Sequence, residues 1–317
     1  MCCDLIMTMK DKPIVSVVIV CMNNLKNLIP CLDSILKYTS VDYEIWVNAY
    51  MFSPENLQIV KLKYPSVKWI VNNNIAGFSE NNNMILRQLK TKYALVLNDD
   101  TLFKEPVLDK LIASIERTEN ANTMSPMLLN GDGSYQSCGR PPIRWYDFLI
   151  EDTFGRNNDK HKSKYTNQKG IFKSYNVTGA CFLIRIDYFK TLGFFDEYYF
   201  FTPEDIALST KINELGGNCY VDSNIRLYHL SGGTRKSKVK MATLPSQRKG
   251  CIHFHGRNSH SLKIFMELTV FTVAFFKSIV FFCMGKTIEG FAQWHCVCTI
   301  FSSMTPKEIF IKYYSKM

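Results

Sequence analysis

Apolar runs alternate along the first hundred positions with segments in which apolar residues recur every three or four positions. "PIVSVVIVCMNN" (Pro13 to Asn24) is rich in β-branched residues, which is typical of a buried parallel strand, and "LIPCLDSILKYT" follows with helical spacing. Strand-like and helix-like segments then continue in turn as "YEIWVNAY", "PENLQIVKLKY", "VKWIVNN", the stretch after "GFSENN", and "ALVLN". This order predicts an α/β fold with an open, mostly parallel sheet and helices on both faces.

Polar residues stand where three of these strands end, at Cys21–Asn24, Asn48–Tyr50 and Asn98–Asp100. Ligands of parallel sheets bind beyond the carboxyl ends of the strands, so these residues are expected to converge at one edge. Paired carboxylates after a buried strand repel each other and lose hydration unless a cation joins them. A turn would also account for the acidic pair, because Asn and Asp are favoured in turns. A divalent metal that holds phosphates is the alternative.

The second half contains another acidic pair and a histidine. A strand is predicted from Val177 to Ile186 and a helix from near Asp187, and Glu204 and Asp205 fall in the first turn of a further helix. Carboxylates there are favoured by the helix dipole without any function, and the same dipole predicts a low pKa for Asp205. His229 ends a short apolar run before Ser-Gly-Gly, a flexible turn that lets backbone approach a ligand.

Charge and cysteine content narrow the class of protein. The formal net charge of the 317 residues is +10, and no acidic residue occurs from Ser223 to Met266, where nine Lys and Arg residues lie. Such a block indicates phosphates, an acidic membrane surface or nucleic acid as partner, or else a solvated basic face. The 11 cysteines form no CxxC pair, which favours reduced, cytosolic thiols. Neither GxGxxG nor GxxxxGK[ST] is present, which argues against dinucleotide and P-loop sites.

The segment from Leu262 to Gly285 is the most apolar in the chain, although Glu267 and Lys277 interrupt it. Three interpretations remain open: a helix lying at an anionic membrane surface, a helix packed on the catalytic domain or a second subunit, and a membrane span. The basic block just before it favours the first. The segment "FAQWHCVCTIF" is a candidate for a second helix of the same kind.

Six motifs together resemble the family 2 glycosyltransferases with the GT-A fold, within them the rhamnosyltransferase-like group of bacterial cell-surface polysaccharide synthesis. They occur in the family's order from about Val15 to Thr234, and they read "VSVVIVCMNNLKNLIPCLDSIL", "IAGFSENNN", "LVLNDDT", "TGACFLIR", "GFFDEYYFFTPEDIALSTKINELGG" and "YHLSGGT". The resemblance implies a Rossmann-like sheet followed by a C-terminal helical tail. It divides the chain into an N-terminal extension (1–12), a nucleotide-sugar-binding half (13–125), an acceptor-binding half (126–234), and a basic loop with an apolar tail (235–317).

The resemblance also implies a role for each matching residue. Asp100 of "NDD" and His229 are implied as metal ligands for Mn²⁺ or Mg²⁺, Asp205 as the general base, and Glu204 as the residue orienting the acceptor. The implied nucleotide-sugar-binding residues are Asn23, Asn48, Gly77, Asn82, Asn98, Asp99, Gly179, Ala180 and Arg235.

The implied activity is inverting, metal-dependent transfer of a hexosyl or deoxyhexosyl group from a UDP- or dTDP-linked sugar to a glycan or lipid-linked acceptor. The implied location is cytoplasmic, peripheral at the inner face of the cell membrane, and the sequence allows a homodimer. Relatives usually carry Asp where this chain has Asn48, so the identity of the nucleobase stays open. Asn48 and "CMNN" also keep open a second interpretation, a non-catalytic nucleotide- or partner-binding module. No nucleic-acid-binding module is recognisable, so nucleic acid is not an expected partner.

Overall fold

The first half of the protein folds as the predicted alternation of strands and helices. The structure, a computed structural model, describes residues 12–136, 138–155, 165, 167–230 and 237–316. The elements in order are β1 (Val15–Met22), α1 (Leu25–Tyr38), β2 (Tyr43–Tyr50), α2 (Pro54–Lys63), β3 (Lys68–Asn72), α3 (Phe78–Leu86) and β4 (Tyr93–Asn98). These four strands are parallel in the order β3-β2-β1-β4, so all their carboxyl ends lie along one edge.

The register of these strands brings their ends level, as the sequence predicts. Val20 of β1 lies opposite Asn48 of β2 on one side and Asn98 of β4 on the other. Both faces of β1 are covered: Val17 and Ile19 belong to one core and Val18 belongs to the other. Burial on both faces explains why the strand reads as an uninterrupted β-branched run.

The second half extends the same sheet. Its elements are β5 (Thr101–Leu102), α4 (Val107–Arg117), β6 (Thr123–Leu129), α5 (Trp145–Phe154), β7 (Ile171–Ser174), β8 (Cys181–Arg185), α6 (Ile186–Thr191), α7 (Glu204–Glu214) and β9 (Cys219–His229). The strand order is β3-β2-β1-β4-β8-β6-β9-β5, with β7 paired to β9. Strand β8 is antiparallel to both β4 and β6, so this part of the sheet is mixed. The predicted halves therefore share one continuous sheet.

Four further helices form a layer after the sheet: α8 (Lys240–Gly256), α9 (His260–Cys283), α10 (Thr287–Thr299) and α11 (Pro306–Tyr314). Helix α8 approaches the segment before α7 closely at Gly250. A Cβ there would lie 2.5 Å from the carbonyl oxygen of Thr202, so only glycine fits without a shift. This contact joins the helical layer to the backbone that leads into Glu204 and Asp205.

Part of the basic block lies inside the protein, so not all of its cations are available to the anionic partner, or form the solvated face, that the sequence indicates. Arg248 is 2% exposed, and its Nε lies 2.7 Å from Asp152 Oδ1 of α5. Lys249 Nζ donates to the carbonyl oxygens of Ile300 (2.8 Å) and Ser302 (2.7 Å). Two of the nine cations thus stabilise internal packing and cannot meet an external anion.

Helix α9 is partly packed and largely exposed. One stripe, Met266, Val270, Ala274 and Ser278, is buried. Lys277 donates through Nζ to the carbonyl oxygen of Asp152. Within the described part of the chain, α9 is the one helix long and apolar enough by composition to cross a bilayer, and 22% of its most apolar 18-residue stretch is buried.

Candidate active site

Asp100 and His229 meet at the edge where the strands end. Strand β5 follows Asp100 directly, and Thr101 pairs with His229 of β9. The backbone N–H of Leu230 donates to the carbonyl oxygen of Asp100 at 2.9 Å. These contacts bring His229 Nε2 to 3.1 Å from Asp100 Oδ1, with the two side chains 17% and 16% exposed. An acid and a histidine 129 positions apart therefore adjoin where the sequence predicts a metal site.

Gln136 fixes the orientation of the His229 ring. Its Nε2 donates to the carbonyl oxygen of His229 at 2.6 Å and to Asn130 Oδ1 at 2.7 Å. Because a carbonyl can only accept, the amide Oε1 must be the atom 2.8 Å from His229 Nδ1. That oxygen accepts, so Nδ1 carries the hydrogen and Nε2 faces Asp100.

Asp99 lies beside this pair and is partly buried. Burial raises the pKa of its carboxyl to about 6, and the charge of Asp100 raises it further, while a hydrogen bond from the Cys21 thiol opposes the shift. Burial and the nearby Asp99 also raise the pKa of Cys21. Asp99 is thus held by the end of β1, at the predicted edge.

Asp205 and Glu204 occupy the first turn of α7. Ile206 N donates to Asp205 Oδ1 at 2.8 Å and Gly179 N donates to Oδ2 at 3.4 Å. Burial nevertheless raises the pKa of Asp205, against the smaller lowering effect of the Arg140 charge and these backbone contacts. The low pKa expected from the helix dipole is therefore wrong, because loss of hydration outweighs the dipole.

Glu204 is more deeply buried than Asp205. Its side chain faces the interior, and Oε2 is buried without a hydrogen-bond partner within the described residues. Burial, and then the charge of Asp205, raise its pKa well above the ordinary range. The two carboxyl groups therefore differ: Asp205 is partly exposed, whereas Glu204 is favoured in its neutral form.

A short series of contacts connects Asp205 to the metal-site candidates. Gly179, whose N–H bonds Asp205, is followed by Ala180, whose carbonyl oxygen accepts from Asn98 N at 2.9 Å. Asn98 immediately precedes Asp99. The structure therefore brings the predicted residues Asn98, Asp99, Asp100, Gly179, Ala180, Glu204, Asp205 and His229 to neighbouring positions at one rim of the sheet.

The side chain of Asn48 is buried and hydrogen-bonded, so it is not accessible at the rim. It is 0% exposed, and its Nδ2 donates to Asn81 O at 3.0 Å and Asn81 Oδ1 at 3.1 Å. The expectation that Asn48 contacts the nucleobase is therefore wrong for this conformation, because no atom of the side chain is accessible. Its contacts hold α3 against β2.

Three other predicted binding residues, Asn82, Gly77 and Asn23, are in contact with other parts of the chain. Asn82 is 1% exposed and donates to the carbonyl oxygen of Phe78 at 2.9 Å. A Cβ on Gly77 would lie 2.3 Å from the carbonyl oxygen of Phe200. Asn23 is exposed but its Oδ1 accepts from Ser53 N (3.1 Å) and Asn56 Nδ2 (2.9 Å) at the start of α2. Arg235 lies outside the described residues.

Gln136 and Arg140 are site residues that sequence reasoning missed. Both lie between β6 and α5, in a segment without a recognised motif. Gln136 is placed by its N–H, which donates to Leu128 O at 2.9 Å, and Arg140 O accepts from Asn176 N at 3.1 Å. Their position depends on long-range pairing, so no local pattern could have indicated it.

The atoms at the rim fit a hard divalent cation. A carboxylate oxygen and an imidazole nitrogen are ligands that Mn²⁺ accepts, and the orientation set by Gln136 presents the ring nitrogen toward Asp100. His229 Nε2 and Asp100 Oδ1, which lie 3.1 Å apart, can be bridged by a proton or can both bind one cation. Among the described residues, no group of three His, Cys, Asp or Glu side chains forms a complete ligand set. The remaining ligands would come from water or from a phosphate-bearing substrate.

Comparisons with known proteins identify the family of this chain. The family model described as glycosyl transferase family 2 matches residues 16–193, more than half of the chain. The O-antigen biosynthesis protein RfbC of Myxococcus xanthus is 26% identical over 167 residues, which cover 49% of this chain and 12% of that protein. The N-acetylglucosaminyl-diphospho-decaprenol L-rhamnosyltransferase of Mycobacterium tuberculosis is 25% identical over 190 residues, which cover 54% of this chain and 62% of that protein. The match thus spans less than two thirds of either relative.

Two solved structures share the fold. GalNAc-T7, crystallised with UDP, GalNAc and Mn²⁺, has a TM-score of 0.54 at 19% identity, covering 70% of this chain and 44% of that one. The mannosyltransferase PcManGT from Pyrobaculum calidifontis, in complex with GDP-Man and Mn²⁺, has a TM-score of 0.53 at 11% identity, covering 97% and 87%. At these identities the likeness concerns the GT-A fold alone.

Proposed function

The chain belongs to glycosyltransferase family 2, and on that premise we propose that it transfers a sugar from a nucleoside-diphosphate sugar to an acceptor hydroxyl, with inversion at the anomeric carbon. The observation that supports the proposal most directly is the pair Asp100 and His229 at 3.1 Å, beside the rim that also carries Asp205. In this arrangement one group of residues binds the leaving diphosphate and another removes a proton from the acceptor.

Asp205 is proposed as the general base. Inverting transfer needs a group that takes the acceptor hydroxyl's proton while the oxygen attacks the anomeric carbon opposite the leaving group. Burial raises the pKa of Asp205, which makes its carboxylate a stronger base than an exposed one. The N–H groups of Gly179 and Ile206 orient the two carboxylate oxygens.

Asp100 and His229 are proposed to hold Mn²⁺ or Mg²⁺, with Asn98 and Asp99 bordering the ribose and diphosphate. The cation, when bound, neutralises charge that develops on the leaving nucleoside diphosphate. Gly179 and Ala180 border the sugar and acceptor pocket, and Arg235 is proposed to contact the diphosphate. Glu204 is proposed to support the acceptor side of the site from its buried position behind Asp205.

The proposed donor is a UDP- or dTDP-linked hexose or deoxyhexose, and the proposed acceptor is a lipid-linked or polysaccharide hydroxyl. The name of the mycobacterial relative, a rhamnosyltransferase acting on a diphospho-decaprenol-linked sugar, supports both choices. An acceptor of that kind resides in a bilayer. The protein is therefore proposed to work at the cytoplasmic face of the cell membrane.

The proposal is tested by Asp100→Asn and Asp205→Asn, each assayed for sugar transfer and for donor hydrolysis across a panel of nucleotide sugars with Mn²⁺. We expect each variant to lose at least about 100-fold in turnover, which is typical of removing a base or a charge-stabilising group. Thermal unfolding close to that of the wild type is the control for folding. Turnover near the wild-type rate in either variant would contradict the assigned mechanism.

One observation favours a second candidate, a non-catalytic nucleotide- or partner-binding module. Asn48, the residue of β2 expected to contact the nucleobase, is buried and bonded to α3. Calorimetry distinguishes the two candidates. Binding of a nucleoside diphosphate with Mn²⁺, together with no hydrolysis or transfer from any donor in the panel, would support the module.

A further inference from the structure

The outer face of α9 is an extended apolar surface that the proposed chemistry does not use. At 100° per residue, Lys263, Glu267 and Lys277 fall on the same side of the helix as the buried stripe. The opposite side carries exposed residues without an ionisable group: Ile264, Phe265, Leu268, Phe275, Phe276, Ile279, Val280 and Phe282. The charges that make this segment look unsuited to lipid therefore point toward the protein.

Aromatic residues of neighbouring helices extend this face on both sides. The ring of Trp145 in α5 lies 5.9 Å from that of Phe265, and the ring of Phe291 in α10 lies 5.2 Å from that of Phe282. The exposed apolar residues that continue the surface are Trp145, Tyr146, Ile150, Phe154, Phe291 and Trp294. We call these residues, with the outer face of α9, the apolar face.

The composition of the apolar face matches a lipid bilayer better than another protein surface. It is uncharged along the whole 24-residue helix, about 36 Å at 1.5 Å per residue, while soluble proteins rarely expose so large an apolar patch. Trp and Tyr favour the headgroup region, and the face carries Trp145 and Tyr146 on its α5 side and Trp294 on its α10 side. The exposed cations Arg144 and Lys286 stand next to it and suit anionic headgroups.

Contacts on the inner side of α9 keep it on the protein. The buried stripe packs against neighbouring helices, and Lys277 bonds the Asp152 carbonyl oxygen of α5. We propose that the apolar face binds the surface of a bilayer, with α9 lying at the boundary between headgroups and acyl chains and not crossing it. This deepens the membrane location proposed above and is independent of sugar transfer.

Vesicle co-sedimentation of the full chain tests the proposal, using phosphatidylcholine vesicles with and without phosphatidylglycerol. We expect wild-type protein to bind, more strongly with phosphatidylglycerol, and Phe276→Asp/Ile279→Asp to lose at least about tenfold in partitioning because each carboxylate would enter the apolar layer. The control is Leu62→Asp, which adds a carboxylate at an exposed apolar position of α2, outside the apolar face, and should bind as the wild type does.

Three results would overturn the proposal: no binding of the wild type to either vesicle, equal binding by the double variant, or a dimer that the double variant converts to a monomer, since a second copy would then cover the face. A soluble-acceptor or donor-hydrolysis assay, run in parallel, reports on catalysis alone. A failure of the membrane face is thereby distinguishable from a failure of the proposed activity.

A separate observation concerns Gln136. Its carboxamide contacts both the ring and the backbone of His229, and its donation to two oxygen acceptors leaves Oε1 for Nδ1–H. We infer that Gln136 is a positioning residue that sets the tautomer of His229, so that Nε2 is presented to Asp100 and to a cation bound there. The presentation of Nε2 to a cation rests on the metal role proposed above. The assignment of the hydrogen to Nδ1 does not depend on that role.

Two readouts test Gln136 without an activity assay. In Gln136→Ala we expect Mn²⁺ affinity, measured by electron paramagnetic resonance titration of the metal alone, to fall about 10- to 100-fold, the usual effect of removing a partner that orients a metal ligand. In nitrogen-15 spectra, the His229 signals, assigned by their loss in His229→Ala, should change from a single Nδ1–H form to a mixture of tautomers. Gln136→Glu, which can still accept from Nδ1, should retain the Nδ1–H form.

Gln88→Ala is the matched control, because that carboxamide donates to the Met84 carbonyl oxygen and lies before the amino end of β4, whereas the rim lies at the carboxyl end. An unchanged His229 tautomer in Gln136→Ala would overturn the inference whatever the metal does. If the wild type binds no Mn²⁺ while the tautomer changes, the metal assignment fails and the positioning of the ring stands.

Discussion

At the scale of single residues, Asp205 combines two opposing influences on one carboxyl group. Its place at the start of α7 favours ionisation, and this much follows from sequence. Its burial favours the neutral form and dominates. Burial depends on Gly179 and on the close approach of α8, which are distant in the chain, so the direction of the pKa shift could not be predicted from the local pattern.

The raised pKa predicts an acid limb in the pH profile. Asp205 must be ionised to accept a proton, so kcat/KM should rise with pH through its raised pKa, above the ordinary value of about 4. The charge of Arg140 lowers that pKa, so Arg140→Gln should move the inflection to higher pH. Steady-state kinetics across pH measure both.

Asp99, with a pKa of about 6, also titrates in this range, and the Arg140 variant separates the two groups. An inflection that moves with Arg140→Gln belongs to Asp205. An inflection at or below the ordinary aspartate value, or one that the Arg140 variant leaves in place, would contradict the assignment.

At the scale of elements, the segment "GFSENNN" shows why a motif alone does not define a site. Asn83 Nδ2 donates to Phe195 O at 2.9 Å, and Asn81 bonds Asn48, so two of the three asparagines join α3 to neighbouring elements. The sequence predicts the helix correctly, but it cannot say which side of the helix is buried when polar residues fill both sides.

Gly77, at the start of α3, tests this framework role. Gly77→Ala should lower the free energy of unfolding by about 1–3 kcal/mol, because its Cβ would lie 2.3 Å from the Phe200 carbonyl oxygen and the backbone must shift. Urea unfolding measures the change. Gly131→Ala, where the nearest atom is Leu230 Cδ2 at 3.5 Å, is the control and should change stability by less than about 0.5 kcal/mol. Equal stability of both variants would contradict the close approach.

The two-residue strand β5 is the element that completes the rim. The strands that end in polar residues, and the edge they share, could be predicted from the alternation of apolar runs. The pairing of Thr101 with His229 could not, because it depends on a long connection that returns β9 to the sheet. The family resemblance predicts that Asp100 and His229 act together as metal ligands. The spacing of apolar residues does not predict this.

At the scale of the whole molecule, a buried ion pair joins α5 to the C-terminal helices. The side chains of Asp152 in α5 and Arg248 in α8 are 10% and 3% exposed, with Oδ1 and Nε 2.7 Å apart. Arg248 Nη1 also donates to Gln293 Oε1 of α10 at 2.7 Å. Net charge read from the sequence places such cations on the surface. Only the fold reveals that they bind other parts of the chain.

Removing one partner of this pair should therefore be costly. Asp152→Ala is expected to reduce the free energy of unfolding by about 3–5 kcal/mol, because Arg248 would be left buried and unpaired. Glu214→Ala, which breaks the exposed pair with Arg257, should cost less than about 1 kcal/mol. Denaturant unfolding of the two variants compares them directly. A loss in Asp152→Ala no larger than that in Glu214→Ala would show that the buried pair does not stabilise the packing of α5 on the C-terminal helices.

The central claim is that Asp100 and His229 jointly bind a divalent cation that holds the donor's diphosphate. Calorimetric titration of Mn²⁺ into the protein with UDP, dTDP or GDP present tests it most directly, with Asp100→Ala, His229→Ala and Asp205→Asn in parallel. We predict Mn²⁺-dependent nucleotide binding that weakens at least about tenfold in the first two variants and is retained in the third. Unchanged binding in Asp100→Ala and His229→Ala would contradict the claim.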